Sequence, residues 1–102
     1  MASGELRVFE GGATRSNMAH RFDLIPREAN EALSRRLALG AEKHGENNWK
    51  RGGEAFRRAT VNHLLNHIYD YIENGNALEA NTDAIICNAA FLCTIEAKKR
   101  RR

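Results

Sequence analysis

The chain has 102 residues, enough for one small domain with a modest core, and its 42% hydrophobic and 28% charged content is ordinary for a globular protein. Its net charge of +3 comes from one place, the closing KKRRR (98–102): without those five, the 16 Lys and Arg fall to 11, against 13 Asp and Glu. The longest nearly apolar run, AIICNAAFLCTI (84–95), is too short to span a bilayer, and MASGELRVFE lacks the apolar stretch of a secretory signal, so neither a membrane span nor export is expected.

Residues 5–10, ELRVFE, alternate weakly and predict a short strand or extended arm, followed by a loop at GGATRSN (11–17). The first helix is expected from about Pro26, with Asp23 as its cap. Ala29, Leu33, Leu37 and Ala41 recur every four residues as one apolar stripe, and the pattern ends near His44-Gly45. GENNWKRGG (45–53) is a polar connection. A second helix runs from about Glu54 to Asn74, with Val61, Leu64, Leu65, Ile68 and Ile72 as its apolar face.

A third helix, capped around Thr82, runs to about Lys99 and is apolar nearly all round from Ala84 to Ile95, which marks the central element. The expected fold is all-α. An extended arm with a Gly-rich loop (1–20) leads a three-helix domain (21–97) and a basic tail (98–102). Three helices leave the third poorly covered, so a homo-oligomer is expected. Cys87 and Cys93, six apart on one helix, point to different faces and cannot bridge, which suits a reducing cytosol.

Several constellations have both a plain and a functional reading. Glu28 and Glu31 share a helix face and form either a solvated surface or a seat for a divalent cation. His63, His67 and Asp70 fall on the second helix opposite its apolar stripe. They read as a polar surface, as an HxxxH cation pair, or, with Asn62 and Asn66, as donors to a phosphate or base. Asn88 sits within the apolar stripe of the third helix and needs partners for its amide. Thr14 and Arg15 follow two glycines in a loop that is either an ordinary turn or a phosphate cradle. Lys43, His44, Asn47, Asn48 and Trp49 offer a cation, amides and a π face, a mix that suits a nucleotide, although a lone tryptophan is more often a packing residue. The KKRRR tail has no interleaved aromatics, and nucleic-acid binding is not expected of it.

RFDLIPREANEAL (21–33), GAEKHGENNWKRG (40–52), NHLLNHIYDYIENG (62–75) and CNAAFL (87–92) together resemble the phage dATP/dGTP diphosphohydrolase-like N-terminal domain family. The GGATR loop resembles the Gly-Ala-x-Arg run ahead of that family's opening motif, and the likeness covers about residues 11–95. It implies a helical domain of phage origin that handles purine nucleotides with metal-assisted release of pyrophosphate. By motif match, Lys43, Asn48, Trp49, His63, His67 and Asn88 correspond to the family's recurrent polar positions, and Thr14, Arg15 and Arg21 complete the expected ligand-binding set. If the protein is an enzyme, Glu28, Glu31 and Asp83 would hold Mg²⁺ or Mn²⁺.

One departure bears on chemistry. The family's acidic–His pair at the start of the last helix is replaced here by EANTDAIICN, where Asp83 has no histidine beside it. Two functions follow as expectations. One is a cytoplasmic protein of an infected bacterial host that sequesters a purine or cyclic nucleotide without turnover and needs no cofactor. The other is a metal-dependent purine nucleoside triphosphate pyrophosphohydrolase.

Overall fold

The computed structural model of the protein describes residues 5–16 and 19–100. Strand β1 (Leu6–Val8) pairs antiparallel with β2 (Thr14–Ser16) in the register Leu6↔Ser16, Arg7↔Arg15, Val8↔Thr14. The arm is therefore a hairpin, and Thr14 and Arg15 lie on its second strand rather than in a loop. Helix α1 (Arg27–His44), helix α2 (Glu54–Asn74) and helix α3 (Asn81–Arg100) follow, with short 3-10 turns at Phe22–Leu24 and Asn48–Arg51. Of the basic tail, residues 98–100 form the last turn of α3 and 101–102 lie outside the described residues. No helix among the described residues is long and apolar enough to cross a membrane.

The helix ends follow local chemistry. Gly45 (φ 90°, ψ 153°) closes α1 and Gly75 (φ 59°, ψ −131°) closes α2, both as the sequence predicts. These backbone angles are strained for residues with a Cβ. The helix starts differ from expectation. Asp23 does not cap α1: its carboxylate takes two hydrogen bonds from the Arg21 guanidinium in the preceding 3-10 turn, and the helix begins directly after Pro26. Nor does Thr82 cap α3. It lies inside the first turn, where its backbone N–H donates to Asn76 Oδ1 (3.1 Å) while Asn76 Nδ2 donates to its hydroxyl (2.8 Å). Asn76, six residues upstream, therefore satisfies a backbone donor that the helix leaves open.

As its all-round apolar pattern predicts, α3 is central: the main helix contacts are those of α3 with α2 and of α3 with α1. The buried hydrophobic residues are small, Ala84 and Cys87 of α3. On α2 the expected apolar stripe is inward only in part: Val61, Leu64 and Ile68 are half-buried. Leu65 and Ile72 are exposed, and the residues that sink against α3 are Thr60 and His67. The physical reason is polar pairing. Asn81, fully enclosed at the start of α3, bonds to His67 and Asp70, and that pairing turns their side of α2 inward. The molecule is elongated, 53 × 36 × 25 Å, with a radius of gyration of 17.9 Å. A compact 100-residue domain has about 13 Å.

Candidate functional site

A groove of about 980 Å³ lies between the C-terminal half of α1, the Asn48–Arg51 turn and the N-terminal half of α2, with α3 as its floor. Such a volume is at the upper end of the range for small-molecule sites. Gly45 and Asn47 shape its rim. Asn47 is the one non-glycine residue with positive φ (57°) among the described residues, a conformation that asparagine tolerates well. The two residues turn the chain from the end of α1 into the short turn that presents Asn48 and Trp49.

Trp49 stacks on Phe91 of α3 with ring centroids 4.4 Å apart and planes at 23°, and Phe56 of α2 tilts against the same Phe91 at 6.4 Å. The cluster ties the turn and α2 to α3 through one ring. Trp49 is half-buried and lines the groove, so it both packs and faces the opening. Lys50 Nζ lies 5.5 Å from the centre of its ring.

The groove is cationic along α1 and the turn that follows it. Arg36, Lys43 and Lys50 line it, and among the described residues none of them forms an ion pair. Lys43 and His44 also sit in the last turn of α1, where the helix dipole favours positive charge. The α2 side is imidazole. His63 Nδ1 lies 2.8 Å from the Ala59 carbonyl, and His67 Nδ1 lies 2.9 Å from Asn81 Oδ1. Asn88, which also lines the groove, donates from Nδ2 to the Ala84 carbonyl (2.8 Å).

Six residues expected from the sequence thus meet in one groove: Lys43, Asn48, Trp49, His63, His67 and Asn88. Thr14, Arg15 and Arg21 are not among its lining residues. Thr14 and Arg15 are exposed on the hairpin, and Arg21 is held by Asp23. Sequence reasoning missed Arg36, which carries no motif, the stacking role of Phe91, which it met only within CNAAFL, and the structural role of Asn81. Only the tight polar punctuation of NGNALEAN hinted at the last.

Of the three acids considered for a divalent cation, two are otherwise engaged and the third stands apart on the surface. The carboxylate of Asp83 is gripped by Arg35, which holds it below the usual carboxylate range. Glu31 lies 3.6 Å from Arg27, and Glu28 is exposed on the first turn of α1. Among the described residues no three His, Cys, Asp or Glu side chains are grouped to hold a metal ion. In one copy, this donor set does not fit a resident Mg²⁺ or Mn²⁺, which wants several unpaired oxygens.

No curated protein and no solved structure matches this chain. A family model does match, over residues 10–102, which takes in all three helices, the Trp49 turn and the groove histidines. The chain belongs to the family described as dATP/dGTP diphosphohydrolase, N-terminal.

Proposed function

We propose that the groove binds a phosphate-rich purine nucleotide, linear or cyclic, and holds it without turnover. The observation that carries this reading is the division of the groove. Arg36, Lys43 and Lys50, without ion-pair partners among the described residues, stand on one side and imidazoles on the other, with Trp49 at the rim. Cations without partners attract phosphate, and an aromatic face suits a base. Family membership supports a nucleotide as the ligand. The pairing of Asp83 with Arg35 supports holding over cutting, because it leaves a hydrolytic metal short of a carboxylate. In this reading the protein is a phage-encoded sponge in the cytoplasm of an infected bacterium and removes a host nucleotide signal.

The second reading is a Mg²⁺- or Mn²⁺-dependent diphosphohydrolase of purine nucleoside triphosphates, favoured by the family description itself. In both readings the protein works as a homo-oligomer. Support for this comes from its few buried hydrophobic residues and from the exposed Leu65, Tyr69, Ile72 and Leu78 of α2 and the turn after it.

One experiment separates the readings. The protein is incubated with dATP, dGTP or a cyclic dinucleotide in the presence of Mn²⁺, then denatured, and the nucleotides are separated by chromatography. Intact nucleotide recovered after tight binding is the expected result. Appearance of monophosphate and pyrophosphate overturns the sponge.

A further inference from the structure

The two groove histidines of α2, His63 and His67, share a feature that follows from counting donors and acceptors. Asn81 is fully enclosed, and its Nδ2 faces two groups that only accept, the Asp70 carboxylate and the Gly75 carbonyl. Turning the amide over would set its oxygen against both. Its orientation is therefore fixed, and Oδ1 must be the atom that meets His67. An amide oxygen only accepts, so His67 Nδ1 carries a hydrogen and donates it across the 2.9 Å contact. Glu79 Oε1, 3.8 Å from the same Nδ1, favours the same placement. Asp70 is in turn steadied by Asn74, whose Nδ2 donates to it at 2.8 Å.

His63 reaches the same state by a simpler route: its Nδ1 faces the Ala59 carbonyl at 2.8 Å, and a carbonyl can only accept. In neutral imidazole, a hydrogen on Nδ1 leaves Nε2 as a lone pair. The His67 ring is buried, yet its Nε2 has no partner among the described residues. No fully enclosed side-chain nitrogen or oxygen there lacks one. Nε2 therefore opens to the space that His67 lines, which is the groove.

We infer that Asn81 is a positioning residue that locks His67 with its hydrogen on Nδ1. The α2 wall of the groove then presents imidazole Nε2 atoms as hydrogen-bond acceptors for an N–H or O–H of the ligand. This rests on the groove being the nucleotide site, and it orients the ligand there. Phosphate, itself an acceptor, is directed to the Arg36–Lys43–Lys50 side, and the donor-bearing nucleoside end is directed to His67. The donor is either an exocyclic amine of the base or a sugar hydroxyl.

The test begins without ligand. Long-range ¹H–¹⁵N spectra of the full chain, taken near pH 8.5, well above the ordinary imidazole pKa of about 6.5, report which ring nitrogen carries the hydrogen. The expected wild-type pattern for His67 is a protonated Nδ1 and a bare Nε2. A protonated Nε2 overturns the inference on the wild type alone. Asn81→Ala is expected to move His67 toward the Nε2-protonated form, whereas an unchanged tautomer in the folded variant overturns the role of Asn81. If Asn81→Ala does not fold, Asn81→Asp serves. It keeps an acceptor for His67 but sets a carboxylate against Asp70, and His67 is expected to retain the Nδ1 hydrogen.

Binding then follows with dATP, its analogue lacking the amine, and its analogue lacking the 3′ hydroxyl. Loss of one donor is expected to weaken binding about tenfold and to abolish the ligand-induced shift at His67 Nε2. Equal binding and equal shifts for all three overturn the acceptor role. Failure of every nucleotide to bind sinks the reading of the previous subsection, while the tautomer is decided separately by the ligand-free spectra.

Discussion

Arg35 of α1 grips both carboxylate oxygens of Asp83 of α3, with Nε at 2.9 Å from one and a terminal guanidinium nitrogen at 3.0 Å from the other. The contact joins residues 48 positions apart and pins α1 to the central helix. Arg35 is largely exposed while Asp83 is only 13% exposed, so the carboxylate depends on the pair more than the guanidinium does. Asp83→Asn is expected to lower the thermal midpoint by a few degrees, and Arg35→Ala should add little in that background. Thermal unfolding of the two single variants and the double variant checks this. Fully additive losses would show that the pair is not coupled.

Acid should loosen the fold through the same carboxylates. The Arg35 hydrogen bonds hold Asp83 below the usual range, the Asn81 and Asn74 amides hold Asp70 below it, and Arg57 brings Glu54 down to about 2. Each binds its proton less readily folded than unfolded, where the values are about 3.9 for Asp and 4.3 for Glu. Their contribution is therefore complete above about pH 5 and is lost as pH falls through 4 toward 2. Thermal midpoints measured from pH 7 to pH 2 should be flat above 5 on this account and fall below it. In Asp70→Asn that fall should be shallower.

Trp49 is the only tryptophan in the chain, and it lies at the rim of the groove against Phe91. Its emission should change when a purine nucleotide enters. Lys43→Ala is expected to weaken that titration about tenfold with unchanged helicity, as loss of one charge-assisted contact would. Trp49→Ala should weaken binding as well and cost about 1 kcal/mol of stability through the lost stacking on Phe91. An unaltered titration in Lys43→Ala would remove that residue from the site.

Gly45 holds φ 90° and ψ 153°, a region essentially closed to residues with a Cβ. No atom stands in the way of a Cβ there, so the cost of Gly45→Ala is one of backbone strain alone. A loss of about 1–3 kcal/mol is expected in urea unfolding. Nucleotide binding should weaken too, because the same residue aims Asn48 and Trp49 at the groove.

The uncovered face of α2 gives the fifth prediction. Ile72 is 71% exposed and Tyr69 65%. If a second copy covers them, light scattering will find a mass above the 11.5 kDa of one chain. Ile72→Glu should then return it to a monomer of reduced stability. A wild-type monomer at all concentrations would overturn the oligomer.

The sequence revealed the helices well and the inward face of α2 only in part, missing Thr60 and His67. Gly45 and Gly75 end their helices where the pattern stops, and the apolar run 84–95 became the central helix, because both signals are local. The face of α2 depended on a partner 14 residues away: Asn81 draws in His67, and no periodicity within α2 reports that. The caps failed for a related reason. Asp23 looked like a cap by position, but Arg21, two residues away, offered it two charged donors.

The site divides in the same way. The GAEKHGENNW block placed Lys43, Asn48 and Trp49 in the groove because the end of α1 runs through Gly45 and Asn47 directly into the turn that follows. Thr14 and Arg15 looked equally polar, but they sit on a hairpin whose strands pair only with each other. Whether Asp83 was available as a ligand depended on Arg35, a neighbour that only the packed helices supply, whereas Arg27 meets Glu31 within α1 itself.

The main packing of both α1 and α2 is onto α3, so the two walls of the groove are hinged on a common floor. A small roll of α1 about α3 would widen or narrow the opening while leaving the His67–Asn81–Asp70 anchor of the other wall untouched. If the groove holds a nucleotide as proposed, such a roll would let the cationic wall meet ligands of different phosphate length while the imidazole wall kept a fixed ruler for the nucleoside.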